Sequence, residues 1–273
     1  MIDFLSFAPG EHRIKCPSCA RTERDKNLGL TVSPDGTALA HCFRCNYTEL
    51  FRPDRGASSY RAPAIIAAQK PLAQKHESLS DWGMALWRSC STLDGVAVDY
   101  LKSRRCYIPP LDGDLRWHPS IKHPSGYVGA ALVALISDTI TGKPLSLHRT
   151  WITAHGKANL ETPRLPLAGH SIRGGCIRLW PDEYVTHGLA VGEGIETCLS
   201  LAHAFEPVWA TIDAGHLAKF PVIPGIEVLT IARDNDKAGI AASNDCARRW
   251  VAAGREVRIT TQTENDINDV VAS

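Results

Sequence analysis

Leu189-Ala-Val-Gly-Glu-Gly194 and Ile226-Glu-Val-Leu-Thr-Ile-Ala-Arg-Asp-Asn-Asp236 are the two stretches that decide how this chain folds. Each is a short apolar run that ends abruptly in acidic residues. Helix and strand patterns alternate around them. Glu196 to Phe205 reads as a helix, Val208 to Ile212 as a strand and Ala214 to Phe220 as a short helix. Lys237 to Ala253 reads as a long helix stopped by Gly254, and Glu256 to Thr260 as a last strand. Strands alternating with helices predict a parallel sheet with helices on its faces. Ligands of such sheets sit at the carboxyl ends of the strands.

That rule gives the acids their meaning. Glu193 follows one strand directly, Asp234 and Asp236 follow another, and Asp266 and Asp269 come just after a third. Gly194 allows a sharp turn beside Glu193. Asp234 and Asp236 point the same way if that segment is extended. Carboxylates gathered on one edge repel one another unless a cation neutralises them, and oxygen-only donors suit magnesium or manganese. Singly, each acid reads equally well as a helix cap.

The chain has 273 residues, 44% hydrophobic and 22% charged, which is globular composition and excludes a disordered or collagen-like chain. The apolar run from Tyr127 to Ile136 is far shorter than the ~20 residues of a membrane helix. The opening MIDFLSFAPGEHRIK shows no secretion signal. Net charge is +1, but it is unevenly spread. Residues 1–78 carry 11 basic and 8 acidic side chains, residues 79–185 carry 12 and 9, and residues 186–273 carry 7 and 12. Two basic parts and one acidic part suggest a polyanion-binding half and a cation-binding half.

Nine cysteines argue against a full disulfide framework and for a reducing cytoplasm. Cys16-Pro-Ser-Cys19 and Cys42-Phe-Arg-Cys45 are two C-x2-C pairs flanking Leu28 to Ser33, Pro34-Asp-Gly36 and Thr37 to Cys42. Two short strands around a Pro-Asp-Gly turn read as a hairpin that brings the pairs together. Four thiolates at this spacing predict one structural zinc. Cys90, Cys106, Cys176, Cys198 and Cys246 read as buried thiols. Arg13, Lys15, Arg21, Arg24, Lys26 and Arg44, interleaved with Phe43 and Tyr47, suit contact with a single nucleic-acid strand.

The proline-rich residues 53–78 read as a flexible linker. Beyond them Ser80-Asp81 caps an expected helix carrying Trp82, Leu86 and Trp87, and Asp94 to Lys102 forms another. Tyr127 to Ser137 and Leu145 to Ile152 read as a hairpin, the second strand presenting His148, Arg149 and Trp151. Arg149, Lys157, Arg164 and Arg173 give this region a basic lining. The expected architecture is multi-domain α+β. A zinc-ribbon module occupies 1–52, a linker 53–78 and a basic α+β region 79–186. An α/β domain with a parallel sheet occupies 187–273.

Glu193-Gly194 after one strand and Asp234-Asn-Asp236 after a later one resemble the Toprim signature, shared by bacterial-type primases, topoisomerases, some nucleases and the recombination mediator RecR. Zinc ribbon, basic middle and Toprim domain in this order resemble the DnaG-type primases, and in detail the Toprim primases of phages, plasmids and other mobile elements. Two features depart from the cellular pattern. Cys19 stands where cellular primases place a histidine. Thr197 stands where an aspartate follows the glutamate by four residues, with Glu196 one residue earlier.

The resemblance implies synthesis of short RNA primers on single-stranded DNA from ribonucleoside triphosphates. Glu193, Asp234 and Asp236 would be catalytic and hold magnesium or manganese, with Asp266 and Asp269 completing the shell. Arg149, Lys157, Arg164, Arg173 and Arg44 would contact template or triphosphate, and Cys16, Cys19, Cys42 and Cys45 would hold zinc. A replicative helicase, if used, would be a separate chain. No membrane partner is expected, and the protein would sit at the nucleoid in a bacterial cytoplasm. The rival expectations are a RecR-like binding protein and a Toprim nuclease.

Overall fold

Leu28–Val32 and Ala38–Cys42 both form strands in which every second residue is buried: Leu28, Leu30 and Val32 in one, Ala38, Ala40 and Cys42 in the other. The computed structural model describes residues 2–20, 22, 25–42, 44–45, 47–53 and 76–261. The chain divides into two compact units, Met1–Gln69 and Lys70–Ser273. In the first unit β1 (Gly10–Ile14), β2 (Leu28–Val32), β3 (Ala38–Cys42) and β4 (Thr48–Phe51) form an antiparallel sheet in that order. The central pair is the expected hairpin; the flanking strands β1 and β4 extend it. Gly36 turns at φ +81°, and Asp35 accepts a hydrogen bond from the Thr37 backbone at 3.0 Å. The core behind the sheet is small: Phe4, Leu28, Leu30, Val32, Ala38 and Ala40 beside Cys16 and Cys42. So little buried surface needs a further staple. The linker expected over 53–78 lies mostly outside the described residues.

The second unit begins with α1 (Asp81–Ser89) and α2 (Val96–Ser103). Ser80 caps α1, its hydroxyl accepting from the Gly83 N–H at 3.2 Å, a contact worth about 1 kcal/mol. There follow β5 (Leu115–Lys122), β6 (Val128–Asp138), β7 (Pro144–Thr153), β8 (Gly156–Lys157), β9 (Arg164–Pro166) and β10 (Gly175–Arg178). Next come β11 (Gly188–Gly192), α3 (Ile195–Leu201), β12 (Val208–Ala210) and α4 (Ala214–Ala218). The described chain ends on β13 (Val228–Ala232), α5 (Lys237–Ala252) and β14 (Glu256–Ile259).

All ten strands of this unit belong to one sheet. β14, β13, β11 and β12 run parallel, in that spatial order. β10 then pairs antiparallel with β12 through Ile177↔Ala210 and Arg178↔Trp209, and with β6 through Cys176↔Ser137. β6 is long enough to pair β10 at its end and β5 along its length, with β7 on its other side. The regions expected as 79–186 and 187–273 therefore share one continuous sheet.

Period-two alternation assigns each strand residue to a face. Leu132, Ala134 and Ile136 pack with Ala97, Tyr100 and Leu101 of α2, in a core that also takes Ala190, Ala210 and α3. Ala131, Val133 and Leu135 face the other way with Trp87 of α1 and Trp151. Leu189, Val191, Leu229 and Ile231 pack against Leu217 of α4 and Ala242, Cys246 and Trp250 of α5. Both faces are covered, which is why these strands read as nearly unbroken apolar runs. Cys90, Cys106, Cys176, Cys198 and Cys246 are all buried free thiols. No described helix is long and apolar enough to cross a membrane.

Candidate functional site

The β2–β3 hairpin places the two C-x2-C pairs at one end of the first unit. The sulfurs of Cys16, Cys19, Cys42 and Cys45 all lie within 4.8 Å of one another. Cys16 Sγ is 3.7 Å from Cys45 Sγ, and Cys19 Sγ is 3.5 Å from Cys42 Sγ. A tetrahedron with Zn–S bonds of about 2.3 Å has edges of about 3.8 Å, so this donor set fits one structural zinc. Without a cation the thiols compete for charge. Burial and the neighbouring thiols push Cys19 up to about 12. Burial opposes ionisation of Cys42 too, but the backbone N–H groups of Cys45 and Arg44 outweigh it and bring Cys42 down to about 7. Arg44 donates to Asp25 at 2.8 Å and to the Cys19 carbonyl at 3.2 Å, so it braces the knuckle. His41 is absent from the cysteine cluster, its Nδ1 lying 3.2 Å from Thr48 Oγ1.

In the second unit the parallel register sets Gly192 of β11 opposite Ala232 of β13. Glu193 therefore leaves one strand end, and Asp234 leaves its neighbour two residues on. Glu193 Oε1 and Asp234 Oδ1 are both buried. Gly192 allows close packing here: a Cβ would meet the Ala232 Cβ at 3.0 Å and Cys198 Sγ at 3.1 Å, so both neighbours would have to give way. Thr211, just past β12, donates both its N–H and its hydroxyl to the Gly192 carbonyl, at 2.8 and 3.0 Å. The next residue, Ile212, holds φ at +78°, an uncommon conformation for a β-branched side chain. It borders a cleft with His148, Arg164, Glu193 and Glu196. Strained backbone of this kind concentrates at functional sites.

Asp236 is exposed and caps α5, its Oδ1 accepting from the Gly239 N–H at 2.7 Å. Gly239 is a residue the sequence reading passed over. A Cβ on it would lie 2.5 Å from the Asp234 carbonyl oxygen. Only glycine lets α5 begin that close to Asp234. Asp266 and Asp269 lie outside the described residues. Among the described residues the four cysteines are the only group of three or more His, Cys, Asp or Glu side chains at metal-holding separations.

Glu196 points from α3 toward the other half of the sheet. Its carboxylate accepts from the Tyr100 hydroxyl at 2.7 Å and pairs with Lys157 Nζ at 3.0 Å. Burial alone would raise its pKa, but Lys157 and the Tyr100 hydrogen bond hold it down to about 2. Lys157 is thus engaged with Glu196. Arg164 is exposed on β9 and lines the cleft, and Arg173 is exposed on the loop before β10. Arg149 is only 7% exposed; it donates to the Pro166 carbonyl at 3.0 Å and lies over the Trp151 ring. Burial lowers the pKa of His148 to about 4, against the pull of Glu196 and with the push of the nearby arginines. His216 on α4 bridges Asp213 Oδ1 and the Ile172 carbonyl, both at 2.8 Å.

Residues 188–273 match the family model of the Toprim domain. The C-terminal part of this chain is a Toprim domain. Its core sheet is the parallel set β14-β13-β11-β12, and its acidic edge carries Glu193 and Asp234. Residues 77–179, which supply the antiparallel half of the sheet, match a domain of unknown function (DUF7146). Among solved structures, the primase fragment of the bacteriophage T7 primase-helicase protein is 17% identical, with a TM-score of 0.44. The alignment covers 95% of this chain and 93% of that one. The zinc-binding and RNA polymerase domains of the Aquifex aeolicus primase are 15% identical, with a TM-score of 0.46 over 99% of this chain and 79% of that one. No curated protein sequence matches the chain. The chain is thus mixed α+β, with an N-terminal four-cysteine cluster and a C-terminal Toprim domain.

Proposed function

We propose that this chain is a DNA primase, a metal-dependent nucleotidyl transferase that makes short RNA primers on single-stranded DNA for a phage, plasmid or other mobile element. The observation that carries this reading is Glu193 and Asp234 at neighbouring strand ends of a Toprim domain, beside a cleft edged by Arg164. Two carboxylates are few for an all-protein metal cage. Magnesium, however, is usually held by one or two carboxylates with water and substrate phosphates filling the remaining positions. Glu193 and Asp234 are the pair proposed for that mode, and Asp236, whose Oδ1 caps α5, is proposed to approach them only with the ion in place. Asp266 and Asp269 are proposed to add to the same shell. Held by Glu193 and Asp234, such an ion would supply charge neutralisation at the phosphates and greater acidity at the attacking 3′-hydroxyl.

The remaining work falls to the protein. Arg164, which lines the cleft, and Arg173, exposed on the loop before β10, are proposed to pair with triphosphate or template, since guanidinium forks match phosphate oxygens. Lys157 serves by fixing Glu196, and Arg149 by fixing β7 against β9. The zinc unit would contact the template, with its basic face and Arg44 beside the metal knuckle. Unwound template would come from a helicase. The test is incubation with single-stranded DNA, magnesium and labelled ribonucleotides. Short RNA products are expected. DNA cleavage products, or strand binding without synthesis, would overturn the assignment.

A further inference from the structure

We infer that His216 is a positioning residue: it fastens the turn that presents Arg173 at the acidic edge of the sheet, and so sets how firmly Arg173 grips a ligand phosphate. This rests on the phosphate role proposed for Arg173 above. The turn is Ile172-Arg-Gly-Gly175. Gly174 holds φ at +73°, and the Gly175 N–H donates to the Ile172 carbonyl at 3.0 Å. The Gly174 carbonyl accepts from the Thr139 N–H at 2.9 Å. Arg173 is exposed within the turn. β10 starts at Gly175 and runs antiparallel to β12, with Ile177 opposite Ala210. On the other side of β12, Ala210 lies opposite Gly192 of β11. The turn therefore sits beyond the carboxyl end of β12, at the edge where Glu193 leaves β11.

The ring that holds this turn faces two acceptors. Its Nδ1 lies 2.8 Å from Asp213 Oδ1, and its Nε2 lies 2.8 Å from the Ile172 carbonyl oxygen. A carboxylate and a carbonyl have no proton to give, so each contact needs an N–H, and only the imidazolium carries two. The neutral ring must surrender one of them. Burial opposes the charge on His216, but the hydrogen bond and charge of Asp213 outweigh it, the Ile172 carbonyl assists, and the pKa is raised. Burial also opposes ionisation of Asp213, and the His216 side chain outweighs it there. The cations near the ring are Lys219 at the end of α4, Arg173 beside the held carbonyl, and Arg249 of α5, which donates to the Ala218 and Phe220 carbonyls. The clasp is thus complete below the raised pKa and weakens as pH rises through it. A guanidinium on a fastened turn loses less freedom on meeting a phosphate than one on a loose turn.

The experiment is equilibrium binding on the full chain with two probes that separate the sources of phosphate. One is ATP with magnesium, read by calorimetry; the other is a fluorescein-labelled oligo-dT strand, read by anisotropy. The proteins are the natural chain, Arg173→Ala, His216→Ala, the double variant and His216→Gln. Arg173→Ala is expected to weaken one probe by about 10-fold or more, the loss of a charge-assisted hydrogen bond, and that probe identifies the phosphate. His216→Ala should weaken the same probe by about 3- to 10-fold, the cost of immobilising one long side chain, and add nothing once Arg173 is gone. As pH rises from about 6 to about 9, the natural chain should lose that factor relative to His216→Gln, whose amide can donate to the Ile172 carbonyl at every pH. Additive losses in the double variant overturn the proposal. So does a constant ratio between the natural chain and His216→Gln across the pH series. If Arg173→Ala weakens a probe and His216→Ala does not, only the proposal falls; if Arg173→Ala changes neither probe, the phosphate role of Arg173 falls with it. Melting curves identify a misfolded His216→Ala, and the pH series on His216→Gln then decides.

Discussion

Gly239→Ala tests the link between local packing and catalysis most directly. Gly239 is the third residue of α5, and its N–H donates to Asp236 Oδ1. A Cβ there would stand 2.5 Å from the Asp234 carbonyl oxygen, 2.9 Å from the Asp234 Cβ and 3.1 Å from its carbonyl carbon. Ordinary contact begins near about 3.5 Å, so Asp234 must retreat by about 1 Å. Two of the three atoms are main chain, so no rotamer change relieves the clash. The cost to stability is nonetheless small. Overpacking costs about 1–3 kcal/mol, and the better helix propensity of alanine returns about 1 kcal/mol. The function should suffer far more, because a misplacement of about 1 Å at a reacting centre costs about 100-fold in rate. The expected result is a folded protein with a near-normal melting curve, about 100-fold slower primer synthesis and weakened manganese binding. A Gly239→Ala protein with full activity and unchanged metal affinity would refute the claim that this glycine places Asp234.

Four further outcomes are expected. Asp234→Asn should abolish primer synthesis while zinc content stays at one per chain; full activity would sink the metal-site reading. Cys16→Ser should lose the zinc, read by metal analysis, and with it a folding contribution of about 10–16 kcal/mol to the first unit; an unchanged zinc content would remove the ribbon. Glu196 links stability to pH. Its folded pKa, about 2, lies below the ordinary carboxylate value, so the contribution is present above about pH 4.3 and lost as pH falls toward 2. Its size is about 3 kcal/mol. Lys157→Met strands that carboxylate, so it should cost about 3–5 kcal/mol near neutrality and start acid unfolding at a higher pH, read by melting across a pH series. Asp236→Ser separates two roles. Serine preserves the helix cap, so an unchanged melting temperature with reduced activity is expected, and full activity would reduce Asp236 to a cap.

The Toprim half of the fold was legible because each strand is a compact apolar run closed by glycine or acid, and each helix starts at a clear break. The β6–β7 hairpin was legible for the same reason, with Gly142 at φ +70° in its turn. The strands that escaped notice were those without alternation. β10 is only four residues and begins on the second glycine of Arg173-Gly-Gly, and β5 is broken by Pro119 between Leu115, Trp117 and Ile121. Missing β10 hid the most consequential feature, the fusion of the two halves into one sheet. Among the candidate site residues, the acids could be placed at the sheet edge from strand order alone. The arginines could not be ranked, because a charge in sequence does not reveal whether it faces solvent. Arg149 and Arg164 look alike in the sequence, yet one is buried under Pro166 and Trp151 and the other lines the cleft. Glu196 acts through Tyr100 and Lys157, far off in sequence, and Gly239 through the tight turn back onto Asp234, which apolar periodicity does not register.

The shared sheet bears on how the site could work. β10 joins β6 to β12 by backbone hydrogen bonds, and Arg178 at its end fastens the seam. Arg178 is 7% exposed, donates to Ser137, Asp182 and the Thr139 carbonyl, and lies over the Trp209 ring. Across the same seam, Tyr100 and Lys157 hold Glu196, three residues from Glu193. The cationic edge at Arg164 therefore cannot drift from the acidic edge at Glu193 without breaking ladder hydrogen bonds and a buried ion pair. Catalysis of phosphoryl chemistry depends on charges fixed in advance rather than gathered during the reaction. A hinge between the two halves would forfeit that advantage, whereas a continuous sheet supplies it.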